Sequence, residues 1–356
     1  MSKPRLIAFY LPQFYPTPEN DEWWGKGFTE WTNVGRAKPL FKGHYQPRVP
    51  ADLGYYDLRV PEVREQQSEL AREAGIEGFC YWHYWFAGRR LLDRVFTEVV
   101  ESGKPDFPFC LCWANHSWYQ KTWDPTKPDK LLIEQTYPGG DDYVAHFNAM
   151  LPAFQDKRYM RVDGKLIFGI YAPLDVPDFK EFSNIWNELA KEQGLEGFYF
   201  FGFTFRPEKT EEIIKKGVNC VVNDNILAFK GKKLSIIDRL KMKFLHYPKV
   251  LQYSDYIDYF LKSFNPQDNI HPCINPNFDH SPRSHERGVI IVNNSPEKWK
   301  ELCSKVFAKC NFRRHEKNLV FLKAWNEWGE GNYLEPDLKF GKRFIIETRN
   351  AFNESN

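Results

Sequence analysis

The sequence predicts one α/β domain, a single (β/α)₈ TIM barrel spanning residues 1–356 with long loops after strands 1 and 3. Short apolar runs alternate with amphipathic helical stretches, which is typical of a parallel sheet covered by helices on both faces. The chain contains eight such runs, and no G-x-G-x-x-G turn follows the first of them. A closed barrel is therefore favoured over a doubly wound sheet.

The predicted strands are rich in aromatic and β-branched residues. They are 5–11, 77–85, 107–114, 165–172, 197–204, 219–224, 270–277 and 318–326. The seventh is the least certain, because its sequence contains two prolines. The predicted helices carry apolar residues at helical spacing, and two of them end in Ala-Gly or Gln-Gly, a common helix stop. These helices are 59–75, 143–154, 178–194, 209–217 and 295–310.

Composition limits the possible partners. Lys+Arg 49 against Asp+Glu 47 gives a net charge of only +2, so no strong overall field would attract nucleic acid or anionic lipid. Aromatic residues make up 17% of the chain, and such rings can stack on the apolar faces of sugars as well as fill a core. We therefore expect an oligosaccharide or polysaccharide substrate and no nucleic-acid partner.

The amino terminus and the cysteines indicate where the protein works. The first apolar run is soon interrupted by Pro12 and is too short for a secretory signal or a membrane span. The seven cysteines are odd in number and lie mostly in apolar runs, as reduced core thiols would. Cys110 and Cys112 should share a strand face, but no zinc-type spacing accompanies them. We expect a cytoplasmic protein without a metal or other cofactor.

Two long insertions, 12–58 and 115–141, follow predicted strands and should therefore lie at the C-terminal face of the barrel, where active sites occur. A third irregular segment, 228–249, is basic. It could bind a polyanion or a membrane surface, although a solvated helix with a local role is favoured, since nothing else in the chain supports a polyanion. A lid over the site or an interaction surface would also fit it.

The strand ends deliver aromatic rings, amides and imidazoles to one rim, the mixture that a sugar site needs. The candidate substrate-binding residues are Tyr10, Gln13, Trp31, His83, Tyr84, Trp85, Trp113, Asn115, His116, Trp118, Tyr171, Asn223, Asn275, Asn326 and Trp328. Asp224, Asp279 and Arg283 lie near the same strand ends. Structural roles compete with these assignments: His83 could be a core histidine, and the tryptophans could serve packing alone.

The segment "KAWNEWGEGNYLEPD", residues 323–337, carries the strongest signal. It places Glu327 and Glu330 three residues apart, among tryptophans and glycines, after the eighth apolar run. Rings that exclude water raise the pKa of a carboxyl group, and two carboxyl groups at such a rim suit glycosidic bond chemistry, one as acid and one as nucleophile or base. Glu335, which precedes Pro336, is more consistent with a structural role.

Several motifs together resemble the WbsX-type proteins, usually described as glycosyltransferases from polysaccharide gene clusters. These motifs are "AFYLPQFYP", "WWGKGFTEWTNV", "GFCYWHYWF", "CLCWANHSW" and "WNEWGEGNYLEP". That family is similar to glycoside hydrolase family 99, the endo-α-mannosidases. The resemblance implies that Glu327 acts as a base on the 2-hydroxyl of the substrate, giving a 1,2-anhydro sugar, and that Glu330 acts as the acid/base on the glycosidic oxygen.

Two departures from family 99 leave alternatives open. Family 99 commonly has a histidine where this chain has Gly329, and its members are mostly exported or luminal. One hypothesis is a hydrolase or transglycosidase acting on an α-linked, mannose-like sugar. A second is a cytoplasmic glycosyltransferase for O-antigen, lipopolysaccharide or another surface polysaccharide, although the chain has no nucleotide-binding glycine turn and no convincing D-x-D. A third is a non-catalytic carbohydrate-binding protein.

Overall fold

The computed structural model of the protein describes residues 2–120, 128–231 and 235–355. Parts of the predicted insertion 115–141 and of the basic segment 228–249 thus lie outside the described residues. The strands are β1 (Arg5–Tyr10), β2 (Gly78–Phe86), β3 (Arg89–Leu91), β4 (Phe109–Trp113), β5 (Trp118–Gln120), β6 (Lys130–Ile133), β7 (Arg161–Val162), β8 (Lys165–Ile170), β9 (Phe198–Thr204), β10 (Cys220–Asp224), β11 (Lys249–Gln252), β12 (Ile270–Ile274), β13 (Phe278–Asp279), β14 (Val289–Val292), β15 (Leu319–Leu322), β16 (Asn326–Glu327) and β17 (Asn332–Tyr333).

The helices alternate with these strands. They are α1 (Pro18–Trp24), α2 (Glu30–Arg36), α3 (Pro61–Glu73), α4 (Arg94–Ser102), α5 (Gly140–Phe154), α6 (Phe179–Glu192), α7 (Thr210–Lys215), α8 (Ile226–Lys230), α9 (Ile236–Leu245), α10 (Tyr253–Ser263), α11 (Ser281–Ser284), α12 (Pro296–Cys310) and α13 (Arg343–Glu354). All five predicted helices form. Helices α1, α2, α4, α8, α10, α11 and α13 were not predicted, whereas α9 lies in the basic segment for which a helix was favoured.

The barrel consists of β1, β2, β4, β8, β9, β10, β12 and β15, in that order around the ring. Every neighbouring pair is parallel, and β1 pairs with both β2 and β15, which closes the sheet. These are the eight predicted strands, so the predicted fold class is confirmed. The seventh, β12, keeps Pro272 inside the strand but stops at Ile274, short of the predicted end.

Aromatic rings fill the interior of the barrel. Phe9 packs edge-on against Phe203, with ring centroids 5.4 Å apart, and Phe201 packs against Phe321 at 5.0 Å. Gly169 makes room for this arrangement, because a Cβ there would lie 2.2 Å from the Phe201 ring. The interior is thus a packed core, as in other barrels of this type, and leaves the C-terminal rim as the place for a site.

The insertions add structure at that rim. The segment 12–58 contributes α1 and α2, and the described part of 115–141 contributes the antiparallel pair β5 and β6. The basic segment carries α8, α9 and the start of β11, which pairs with β14 outside the barrel. All seven cysteines are buried free thiols. Across 2–120, 128–231 and 235–355, no helix is both long and apolar enough to cross a membrane.

Candidate active site

The segment after β15 is pinned to the neighbouring strand before it presents its carboxylates. The Trp325 amide donates to the Phe9 carbonyl at 2.8 Å. The Asn326 side chain accepts from the Leu11 amide at 2.8 Å and donates to the Leu11 carbonyl at 3.0 Å. Beyond this anchor, Asn326 and Glu327 form β16, and residues 328–330 form one 3₁₀ turn. Asn326 is therefore a tether that fixes the position of Glu327.

The two glutamates share one ammonium group. Lys323 Nζ lies 3.1 Å from Glu327 Oε2 and 3.0 Å from Glu330 Oε2, and all three side chains are largely buried. Because both oxygens lie so near a single nitrogen, they are closer together than the ~6.5–9.5 Å typical of inverting glycosidases. The arrangement fits the shorter gap of retaining enzymes, about 5–5.5 Å. Glu327 also accepts a hydrogen bond from Trp82 Nε1 at 2.9 Å.

The electrostatics of the pair separate the two carboxyl groups. Burial raises the pKa of Glu327 to about 7, since the nearby Lys323 offsets only part of the desolvation cost. Burial also opposes the charge of Glu330, but Lys323 and Arg283 outweigh it and hold the pKa of that carboxyl well below its usual range. Of the two, Glu327 is therefore the carboxyl group that takes up a proton more readily and Glu330 the one that more readily stays charged, the reverse of the order that the family 99 resemblance implies.

A second cation contacts Glu330 from the loop side. Arg283 of α11 lies 2.7 Å from Glu330 Oε1 and 3.1 Å from Glu30 Oε2, the latter on α2. Glu30 occupies the space beside Gly329, where a Cβ would come within 1.9 Å of its carboxylate oxygen. The departure from family 99 at Gly329 thus has a physical counterpart, because Glu30 and Arg283 fill the place that a side chain at 329 would need.

Aromatic rings form the wall beside the glutamates. Trp82 stacks on Phe9, with centroids 4.5 Å apart, and contacts the Tyr171 ring edge-on at 5.7 Å. Tyr171 in turn stacks on Phe203. A cavity of about 570 Å³ opens next to these rings, lined among others by Tyr171, Phe203, Phe205 and Ala228. Its position and its aromatic lining suit a sugar ring.

Several predicted site residues do lie beside the glutamates and this cavity, in the region that we call the mouth of the barrel. Tyr84 lies close enough to Glu327 for the carboxylate charge to add to the effect of burial, which raises the pKa of the phenol. Its ring meets that of Trp118, on β5, edge-on at 5.0 Å. His116 is exposed, with its ring 5.1 Å from that of Tyr171. Tyr84, His116, Trp118 and Tyr171 are thus brought together near the glutamates.

Other predicted residues point outward, toward the helices. His83 contacts His146 of α5 at 2.8 Å, and burial lowers its pKa to about 3, so it is a neutral core histidine. Trp85 donates to Asp142 of the same helix at 3.1 Å. Trp113 donates to the Trp85 carbonyl at 3.1 Å. These three positions are corrections: alternation along β2 and β4 turns them away from the site.

Tyr10 and Asn223 are corrected for the same reason. Tyr10 donates to Gln67 of α3 at 2.7 Å, and Asn223 bonds Thr210 of α7 at 3.3 Å. Both side chains therefore lie between the barrel and its helices. Their neighbours along the strand, Phe9 and Asp224, face the interior instead.

The remaining predicted residues hold the loops in place. Asn115 donates to the Ala172 carbonyl at 2.9 Å, and Asn275 donates to Asp224 Oδ1 at 2.9 Å. The other three lie in or against the first insertion and the β16–β17 turn. Gln13 contacts Asn20 at 3.4 Å, Trp31 donates to the Tyr56 carbonyl at 2.7 Å, and Trp328 stacks on Tyr333 at 3.7 Å.

The structure adds residues that the sequence did not single out. Lys323, Trp82 and Glu30 all contact the catalytic candidates or their partners, as described above. Asp224, which the sequence analysis did note, is fully buried next to Asn275 and has one carboxylate oxygen without a hydrogen-bond partner among the described residues. For Trp82 a signal was present, since it shares the strand face of Tyr84 in "YWHYW". In the described ranges no cluster of His, Cys, Asp and Glu could hold a metal ion.

A closed parallel barrel that carries two carboxylates beside aromatic rings at its C-terminal rim is an arrangement found in many carbohydrate-active enzymes. The particular family follows from the sequence as a whole. The family model described as "Glycosyltransferase WbsX" matches residues 6–348, and the chain belongs to that family.

Among curated proteins, "Uncharacterized protein WxcX" from Xanthomonas campestris pv. campestris is 35% identical over 362 residues. The match covers 98% of this chain and 50% of that protein, so the chain spans about half the length of the curated relatives it matches.

Two solved structures share the fold. A "Glycoside hydrolase-like protein" superposes with a TM-score of 0.60 at 13% identity, covering 99% of this chain and 94% of its own. The GH99 endo-alpha-mannosidase from Bacteroides thetaiotaomicron, in complex with bis-tris propane, gives a TM-score of 0.58 at 12% identity, covering 100% and 98%. The chain therefore has a fold like that of family 99.

Proposed function

We propose that the protein cleaves or transfers an α-linked glycosidic bond of a mannose-like sugar, with Glu327 and Glu330 as the catalytic pair. The observation that carries this proposal is the pair itself, two buried carboxyl groups bridged by Lys323 at the C-terminal rim. Both oxygens lie within hydrogen-bond reach of one nitrogen, so their separation is below the gap of inverting enzymes, and the expected outcome is retention of anomeric configuration.

In the proposed reaction, Glu327 takes the proton of the substrate's 2-hydroxyl, whose oxygen attacks the anomeric carbon. Glu330 donates a proton to the leaving glycosidic oxygen, and a 1,2-anhydro sugar results. Water or a sugar hydroxyl then opens that ring, with Glu330 accepting its proton and Glu327 returning one to the 2-oxygen. The route conserves atoms and charge, and it needs no cofactor.

The pKa shifts of the two glutamates run opposite to this scheme, so the bound sugar must reverse their order. Substrate hydroxyls that enter between Lys323 and the carboxylates would weaken the ion pairs that keep Glu330 charged. Loss of the bridge raises the pKa of Glu330, while a hydroxyl that donates to Glu327 lowers that of Glu327. An aryl mannoside with a good leaving group tests the roles, because it needs no acid and should restore turnover in Glu330→Gln but not in Glu327→Gln.

A glycosyltransferase is the second candidate, favoured by the family description. The same rim would then hold an activated sugar donor, and the glutamates would activate the acceptor or position the donor. Because the curated relatives are about twice as long, this chain could also cooperate with a further region in a larger protein.

Mass spectrometry of the purified protein separates the two candidates. One sample receives α-linked manno-oligosaccharides, and another receives nucleotide sugars together with an acceptor. Shortened oligosaccharides that disappear in Glu330→Gln support the first candidate. Sugar transfer with nucleotide release, and no shortening, overturns it in favour of the transferase. Binding of oligosaccharide without either product identifies a non-catalytic carbohydrate-binding protein.

A further inference from the structure

Lys230 is a cation at the C-terminal mouth of the barrel that has no anionic partner within residues 2–120, 128–231 and 235–355. It lies at the end of α8, directly after β10, and its Nζ sits 3.8 Å from the centroid of the Phe278 ring. Among the described residues it forms no ion pair. The other two cations of the mouth differ in this respect, because Lys323 bridges the catalytic pair and Arg283 joins Glu30 to Glu330.

The lysine lies within electrostatic range of Glu330 of the catalytic pair. Burial lowers its pKa to about 8, and the charges that act on it are those of Glu330, Lys323 and Asp224. Ala228 lies in the same short helix and lines the cavity beside Tyr171. The ammonium of Lys230 is therefore within the electrostatic reach of Glu330 and on the element that borders the cavity.

Among the described residues, Lys323 and Arg283 form ion pairs at the mouth, whereas Lys230 does not. Glu330 is held by two cations, and burial raises the pKa values of Glu327 and Asp224, which favours their neutral forms. Both shifts reduce the negative charge near Lys230, which has no direct ion pair among the described residues. Burial removes part of the hydration shell of the Lys230 ammonium, and the face of the Phe278 ring is the contact that replaces it. Binding of an anion at this point would therefore be favourable.

We propose that Lys230 binds an oxyanion carried by the substrate, next to the bond on which Glu330 acts. The inference rests on the proposed function, because it names the substrate class of the same site. Two sources share this chemistry: the carboxylate of an acidic sugar in the glycan, or the phosphate of an activated sugar donor. The first belongs with cleavage or transfer of a glycan, and the second with a glycosyltransferase.

Ligand-observed NMR with matched sugar pairs tests this at pH 7. The probes are mannose, glucose and galactose, each as the neutral sugar, the uronic acid and the 1-phosphate. We expect the wild type to bind the acidic member of at least one set roughly ten-fold or more tightly than the neutral member. That preference should vanish in Lys230→Met, return in Lys230→Arg, and persist in Lys243→Met, an exposed lysine of the same basic segment.

Each outcome has a consequence. Preference for a uronic acid identifies an acidic glycan as substrate, and preference for a 1-phosphate identifies an activated donor. A wild type without preference in any set, or a preference that survives in Lys230→Met, overturns the inference. Turnover in the mass-spectrometric assay reports separately on the proposed function: cleavage that disappears in Glu330→Gln, together with no preference for an acidic sugar in the NMR experiment, keeps that function and rejects the anion site.

Discussion

Two carboxyl groups on one short segment, Glu327 and Glu335, have nearly the same pKa and opposite surroundings. Burial raises both pKa values to about 7. Glu335 accepts hydrogen bonds from three neutral donors, Tyr56 at 2.8 Å and Gln67 and Trp328 at 2.6 Å each. Glu327 instead has a cation and a second carboxylate beside it.

The difference shows that a shifted pKa alone does not identify a catalytic group. Both carboxyl oxygens of Glu335 already accept hydrogen bonds from side chains. These bonds hold Trp328, α3 and the first insertion together, so Glu335 works as a structural hub. Glu327 and Glu330 instead share the ammonium group of Lys323, and their pKa values are shifted in opposite directions. They also lie near the cavity beside Tyr171. Access and opposite charge, rather than burial, distinguish the candidate site.

The largest expected effect is on turnover. Glu330→Gln and Glu327→Gln should each lower kcat on unactivated substrate by at least about 10³-fold, because an amide cannot exchange the proton. Glu335→Gln should keep its activity per folded molecule, since the amide resembles the neutral acid. Steady-state kinetics together with thermal melts check this. Equal losses in all three variants would remove the distinction between hub and site.

The next effect concerns stability and pH, and it isolates Glu335. Its folded pKa of about 7 exceeds the ordinary value of 4.5, so the folded state binds the proton more tightly, and the stabilisation present at pH 4 is lost as the pH rises through 7. This contribution is up to about 3 kcal/mol.

Urea unfolding of wild type and Glu335→Gln at pH 5 and pH 8 measures it. The variant cannot ionise at this position, so from pH 5 to pH 8 its free energy of unfolding should fall less than that of the wild type. Parallel pH dependences would mean that Glu335 is charged in the folded protein.

Lys323 tests the other half of the comparison. Its ammonium favours the charged forms of both glutamates, so Lys323→Met should raise both pKa values and move the acid limb of the pH–rate profile to higher pH. We expect kcat at pH 7 to fall roughly ten- to hundred-fold. Lys323→Arg keeps the charge and should retain the acid limb near its original position. An unchanged profile in Lys323→Met would exclude an electrostatic role.

Sequence reasoning found the eight strands because apolar periodicity is a local signal. It selected Glu327 and Glu330 from the strand-eight motif, also a local signal, and their catalytic role stays a prediction. It did not assign the two faces of a strand correctly. His83 and Trp85 were selected at the end of β2, yet side-chain alternation places them outside the barrel and Trp82 and Tyr84 inside. The contact between Glu30 and Arg283 could not be predicted for a different reason, although Arg283 itself was noted near a strand end. The two residues are more than 250 positions apart and meet only because α2 and α11 pack together over Gly329.

The smallest expected effect compares the two faces of β2 with one matched pair of substitutions. Trp82→Phe removes the N–H that donates to Glu327, so the pKa of that carboxyl should rise further and kcat should fall roughly ten-fold, with little change in melting temperature. Trp85→Phe removes the N–H that donates to Asp142 and should cost about 1 kcal/mol of stability while leaving kcat unchanged. Both substitutions delete an indole from the same strand, so equal kinetic effects could not come from the side chains' orientation. Kinetics and urea unfolding of both variants decide whether the face toward the glutamates is the functional one, and the opposite result would return His83 and Trp85 to the candidate site.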